Sequence, residues 1–129
     1  MAAPNIVNVA SITGVTTFKA GIGTETQIFT LVNNPSSSGK VIKVNSVVCA
    51  AIGTTTGVTL KYFDQAAGAG TSVSIGTTVS IPQFSSLIIV NKDNSLYVEE
   101  NRSLGIFKQS NTGGDIDVTC SFEEISWGE

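Results

Sequence analysis

Histidine is absent from all 129 residues. That excludes an imidazole-held metal, a Ser-His-Asp triad and a histidine general base. Cysteine occurs only at Cys49 and Cys120, too few for a four-thiolate zinc site. Charge is also scarce: Asp, Glu, Lys and Arg are 13% of the chain, against roughly 25% in ordinary soluble domains. The single arginine, Arg102, and six dispersed lysines make no basic stripe, and the net charge is -3. No nucleic-acid partner is expected, because phosphate-backbone affinity comes from clustered cations. Apolar runs are short. Leu87-Ile88-Ile89-Val90 is strand-sized, well below the ~20 residues of a membrane-spanning helix, so no membrane partner is expected. The opening Met1-Ala2-Ala3-Pro4-Asn5 has neither the basic segment nor the apolar run of a secretory leader, so synthesis in a cytoplasm is expected. There is no dinucleotide fingerprint and no phosphate loop. Gly21-Ile22-Gly23 reads as a turn.

What the chain does have is β-branched residues and turn formers. Serine and threonine number 15 each, valine 14, isoleucine 13 and glycine 13. β-Branched side chains suit a pleated surface, and glycine weakens helices. Residues 5–18 alternate imperfectly through Ile6, Val7, Val9, Ile12, Val15 and Phe18, and read as an arm or edge strand interrupted near Gly14. Gln27–Val32 is a strand, and Asn33 to Gly39 is an exposed turn. In the strand Lys40–Ala50, period-2 alternation puts Ile42, Val44, Val48 and Ala50 on one face. Val58–Phe63 follows, then a small, polar loop from Asp64 to Gly70 that is too short for a stable helix. Thr71–Ile81 is β with an interruption at Gly76 that suits a hairpin or a bulge, and Phe84–Asn91 is apolar on both faces, as a covered strand would be. Two short strands lie on either side of a Glu100–Ser103 turn. The last strand alternates most cleanly, with Ile116, Val118, Cys120 and Phe122 opposite Asp115, Asp117, Thr119, Ser121 and Glu123. Eight or nine short strands at near-regular spacing predict an all-β fold, an antiparallel β-sandwich of jelly-roll-like type, with an open barrel as the alternative. The length fits an N-terminal arm or edge strand over 1–20 and a single sandwich domain over 21–129.

Few residues are candidates for chemistry. Cys49 and Cys120 both lie in strand-like apolar patterns and are expected to be buried free thiols, although adjacent strands could bring them near the ~7 Å a disulfide needs. Asp115 and Asp117 share a face and could approach one cation. Nothing resembles a calcium loop, and a solvated strand face accounts for them better. Glu99–Glu100 and Glu123–Glu124 are adjacent pairs that point to opposite faces. Tyr62, Phe63 and Phe84 suit core or interface packing more than a sugar platform, because Tyr62 and Phe63 alternate. Asn101-Arg102-Ser103 matches the glycosylation triplet only formally and suits a hairpin turn. No cofactor, metal or catalytic residue is assigned, and no enzymatic activity is expected.

Several segments carry a family likeness. Ala3–Val9 with Ile12-Thr13-Gly14, Ser37–Ser46, Ser95–Glu100 with Ser103-Leu104, and Val118–Ser126 resemble small β-sandwich virion structural proteins of tailed bacteriophages, cyanophages in particular. The resemblance spans nearly the whole chain but contains no catalytic signature. It implies a capsid cement or decoration protein that binds across major capsid protein subunits on the virion surface. It also implies a homo-oligomer, a trimer by preference, whose arm extends over the shell. Within that frame Ile6, Val7, Val9 and Trp127 are the candidate contact residues. A tail, baseplate or fibre accessory protein, or a glycan-binding β-module, is the alternative.

Overall fold

The computed structural model describes residues 9–22, 28–52, 56–108 and 115–127. Nine strands run through them: β1 (Val9–Lys19), β2 (Phe29–Asn34), β3 (Lys40–Ala51), β4 (Thr56–Phe63), β5 (Ser72–Ile81), β6 (Ser86–Val90), β7 (Leu96–Val98), β8 (Arg102–Lys108) and β9 (Ile116–Trp127). Two 3-10 turns, Ala66–Gly68 and Lys92–Asn94, are the only helical pieces among the described residues. None of these helices is long and apolar enough to cross a membrane.

All strand pairs are antiparallel, in two sheets. One has the order β1-β9-β3-β6, with β7 following β6 along the same side of β3. The other has the order β2-β8-β4-β5. The pairings are nested: first strand with ninth, second with eighth, third with sixth and seventh, fourth with fifth. The chain is one long hairpin folded double, and that is the strand order of a jelly roll. The predicted antiparallel sandwich is therefore present, as two separate sheets and not an open barrel.

The core lies between the sheets and is built of Val44, Val47, Cys49, Val58, Leu60, Leu104, Ile106, Ile116, Val118 and Cys120, all fully buried. The predicted inward row of β9 is present: Ile116, Val118, Cys120 and Phe122 are buried, and Thr119 on the other face is exposed.

Three local expectations are corrected. In β3, Ile42 and Val44 point inward, but so do Val47, Cys49 and Ala51, while Val48 and Ala50 are only half-buried. The pairing with β9 slips between Val44 and Ser46, leaving Asn45 as an extra residue. A one-residue bulge reverses every later side chain. Second, Gly14 does not interrupt β1. The slip lies between Val9 and Ser11, and Ser11–Lys19 pairs with β9 without a break. At Gly76 the bulge and not the hairpin is present: β5 is one strand whose register against β4 slips on both sides of that residue.

The third correction concerns how three segments read as turns or loops are held. Asn34 is not in an exposed turn: it ends β2 and is completely buried. The 64–70 loop is tied down. Ala67 N–H donates to Asn33 Oδ1 at 2.7 Å, Gly68 N–H donates to Ser103 Oγ at 2.9 Å, and Ser103 Oγ–H donates to the Gln65 carbonyl at 2.8 Å. Arg102 and Glu100, expected in an open turn, are half-buried. The guanidinium lies 5.9 Å from the centre of the Tyr62 ring, and Glu100 accepts from Gly39 N–H at 2.8 Å.

Candidate interaction surface

Register and alternation decide what the outer face of the five-stranded sheet displays. In β1, Val15 packs against the core, so Ile12, Gly14, Thr16 and Phe18 face outward. Cross-strand pairing then sorts the face into rows. Phe18 lies opposite Thr119, Thr119 opposite Val48, and Val48 opposite Ile88. At strand spacings of about 4.8 Å, this apolar row spans about 14 Å. Phe18 is 74% exposed and Ile88 59%. A second apolar row, Ile12–Ile125–Val41, crosses the other end of the face, with Ile12 60% exposed. Polar rows lie between them. Gly14, Glu123, Lys43 and Tyr97 form one. Thr16, Ser121 and Ser46 form the other, in which the Thr16 and Ser121 hydroxyls share a 3.1 Å hydrogen bond.

Of the contact candidates chosen from sequence, Val9 and Trp127 are direct backbone partners where β1 begins and β9 ends. Ile6 and Val7 lie outside the described residues. Sequence reasoning missed Ile12, Phe18, Ile88 and Tyr97 as outward apolar residues. The signal was there in β1, where Ile12 and Phe18 have the parity opposite to Val15. It could not be used without knowing which parity the core takes.

Several carboxylates and two of the aromatics, Tyr62 and Phe63, are occupied in building the fold. Asp117 accepts from Gly21 N–H at 3.2 Å and Asp64 from Thr71 N–H at 2.8 Å, so each fixes a turn. Glu124 pairs with Lys40 at 3.2 Å at the open end of the sandwich. Among the described residues, no three Cys, Asp or Glu side chains gather as a metal site. Tyr62 donates its hydroxyl to the Tyr97 carbonyl at 2.7 Å, bridging the two sheets. Phe63 is buried on the outer face of the other sheet, over Gly105. Phe84 stands apart in the β5–β6 turn, at φ 57° and 75% exposed.

Both cysteines are free and buried. Cys49 lies opposite Val118 and Cys120 opposite Val47, which makes them diagonal neighbours on adjacent strands. Burial pushes each thiol from 9.0 up to about 12. They stay protonated at neutral pH and pack as small apolar groups.

No family model and no curated protein matches the chain. Solved structures do. A chain from Bacillus endospore appendages, described as a family of disulfide-linked pili, aligns with TM-score 0.54 at 14% identity, over 92% of this chain and 88% of that one. A chain of the cyanophage Pam1 capsid asymmetric unit aligns with TM-score 0.41 at 18% identity, over 98% of this chain and 92% of that one. At 14% identity the likeness to the appendage chain is one of fold.

Proposed function

We propose that this chain is a non-enzymatic structural subunit of a virion, a capsid cement protein that binds across neighbouring major capsid subunits and stabilises the shell. The observation that carries the reading is the outer face of the five-stranded sheet. It is a pleated surface with no charged residue in the Phe18–Thr119–Val48–Ile88 row, and it offers exposed apolar side chains at fixed spacing. Exposed apolar side chains framed by polar ones suit a protein partner. Many copies of a modest contact then reinforce a shell through multivalency. The segment-by-segment resemblance to phage virion proteins supports a capsid subunit as that partner. Four of the ten acidic residues fit the same reading, because Asp64, Asp117, Glu100 and Glu124 are engaged in ties that hold turns and strand ends. A disulfide-linked assembly would need thiols at the surface, and Cys49 and Cys120 are in the core.

Cryo-electron microscopy of the particle that carries this chain tests the assignment. Regularly placed copies on the outside of the shell are expected, and density at the tail tip overturns it. The anchoring role given to the N-terminal arm, with Ile6 and Val7, has a separate test. Deleting residues 1–8 leaves β1 intact and is expected to abolish binding to purified shells. Undiminished binding rejects the arm as an anchor.

A further inference from the structure

We propose that β1 is a pairing edge that joins two copies of this chain, antiparallel, with the two-fold axis at Val15. Each sheet has two edges, and exposed edges invite association unless they are blocked. Three of the four carry blocking devices. β5 slips register on both sides of Gly76, and Thr78 sits at φ 49°. The β6/β7 edge is broken by the Lys92–Asn94 turn, which puts Lys92 and Asp93 in solvent. β2 slips between Thr30 and Val32, and the Ala66–Gly68 turn bonds to Asn33 at its end. β1 has one slip, between Val9 and Ser11 at its very start, and none of these devices beyond it. From Ser11 to Lys19 it pairs with β9 without a slip, contains no proline and carries no charge before Lys19. Among the described residues it pairs on the β9 side only.

The stretch is also complementary to itself. Its midpoint is Val15. Pairing it antiparallel with a second copy about Val15 puts Ile12 opposite Phe18 of that copy, and Phe18 opposite its Ile12. An aromatic facing a β-branched residue is a favourable cross-strand pair, and here the symmetry makes it twice. Among the described side chains of the strand, these are also the two most exposed large apolar ones. The same register continues the rows across the joint. The Ile88–Val48–Thr119–Phe18 row of one copy runs into the Ile12–Ile125–Val41 row of the other. The polar row through Gly14 meets the polar row through Thr16. A pairing about Gly14 instead would offset Ile12 from Phe18, setting the Ile12 row against the polar Thr16 row and Phe18 against Ala10.

The pairing stands on the edge alone, so failure of the shell reading leaves it intact. Sedimentation velocity of the full chain is expected to give a species of twice 13.4 kDa. Val15→Cys is expected to cross-link as a dimer under mild oxidation, while Gly14→Cys is not. The native thiols are buried and do not compete. Phe18→Lys, on the surface, is expected to raise the dimer dissociation constant by about tenfold or more with an unchanged far-UV circular dichroism spectrum. A monomer, a three-chain mass, cross-linking at Gly14→Cys in place of Val15→Cys, or a Phe18→Lys dimer of undiminished affinity each overturns the proposal.

Discussion

Asn34 shows how one polar side chain can hold several strands. It is completely buried at the end of β2. Its Nδ2 donates to the carbonyls of Lys40 and Val98, both at 2.9 Å, and its Oδ1 accepts from Ser38 Oγ. Its own carbonyl accepts from Asn101 N–H at 2.8 Å. One residue thus ties β2 to β3, β7 and the turn before β8. Asn34→Ala removes the amide donor from two carbonyls and the acceptor from Ser38 Oγ, and is expected to cost about 2–4 kcal/mol in urea denaturation. The two core thiols make a second prediction at this scale. Their folded-state values are raised, so above about pH 9 the unfolded chain sheds thiol protons that the folded chain keeps. The thiol contribution to stability is constant below that pH and falls as the pH rises towards 12. The slope is about 1.4 kcal/mol per pH unit for each thiol. Urea midpoints of the wild type and a Cys49→Ala/Cys120→Ala variant, compared across alkaline pH, are expected to converge or cross. Parallel curves would mean that the thiols ionise in place.

Among the elements, β8 is the most enclosed. Leu104 and Ile106 face the core, while Ser103 and Phe107, on its other face, are buried too. Gly105 is where that second layer comes closest to the backbone. A Cβ there would lie 2.9 Å from Phe63 Cε1 and 3.0 Å from Ile28 Cγ2. Gly105→Ala is therefore expected to destabilise by about 1–3 kcal/mol by overpacking. Gly14→Ala is the control: nothing lies within 4 Å of a Cβ at that position, so thermal unfolding is expected to be unchanged or slightly later. β3 shows where sequence periodicity stops being informative. Its apolar residues occur on both parities, so Val48 and Ala50 extend the Ile42–Val44 row by simple alternation. The bulge at Asn45 puts Val47, Cys49 and Ala51 there instead. β9, with polar residues on one parity from Asp115 to Glu123, had no such ambiguity, and its inward row could be read directly.

At the scale of the whole molecule, the nested pairing brings the first strand against the last. The outer face of the five-stranded sheet is therefore assembled from segments more than a hundred residues apart. Phe18, Thr119, Val48 and Ile88 are unrelated in sequence and become one row only through three registers. That row is what the cement reading needs and what β1 pairing would extend. Both are decided by measurements on assembled material: copy placement on the particle, and mass and cross-linking of the free protein.

The sequence by itself determined the class of fold, most of the strand positions, and the inward face of β9. Those depend on local quantities: β-branched content, turn residues and period-2 alternation, each readable over a few neighbours. It also pointed to Cys49 and Cys120 as packing residues. Only the tertiary structure decided the sheet order, the bulges and the burial of Asn34. It alone decided which of two possible faces displays Ile12 and Phe18. The physical reason is that register is set between strands. A slip of one residue costs nothing in local propensity and moves every side chain to the opposite face.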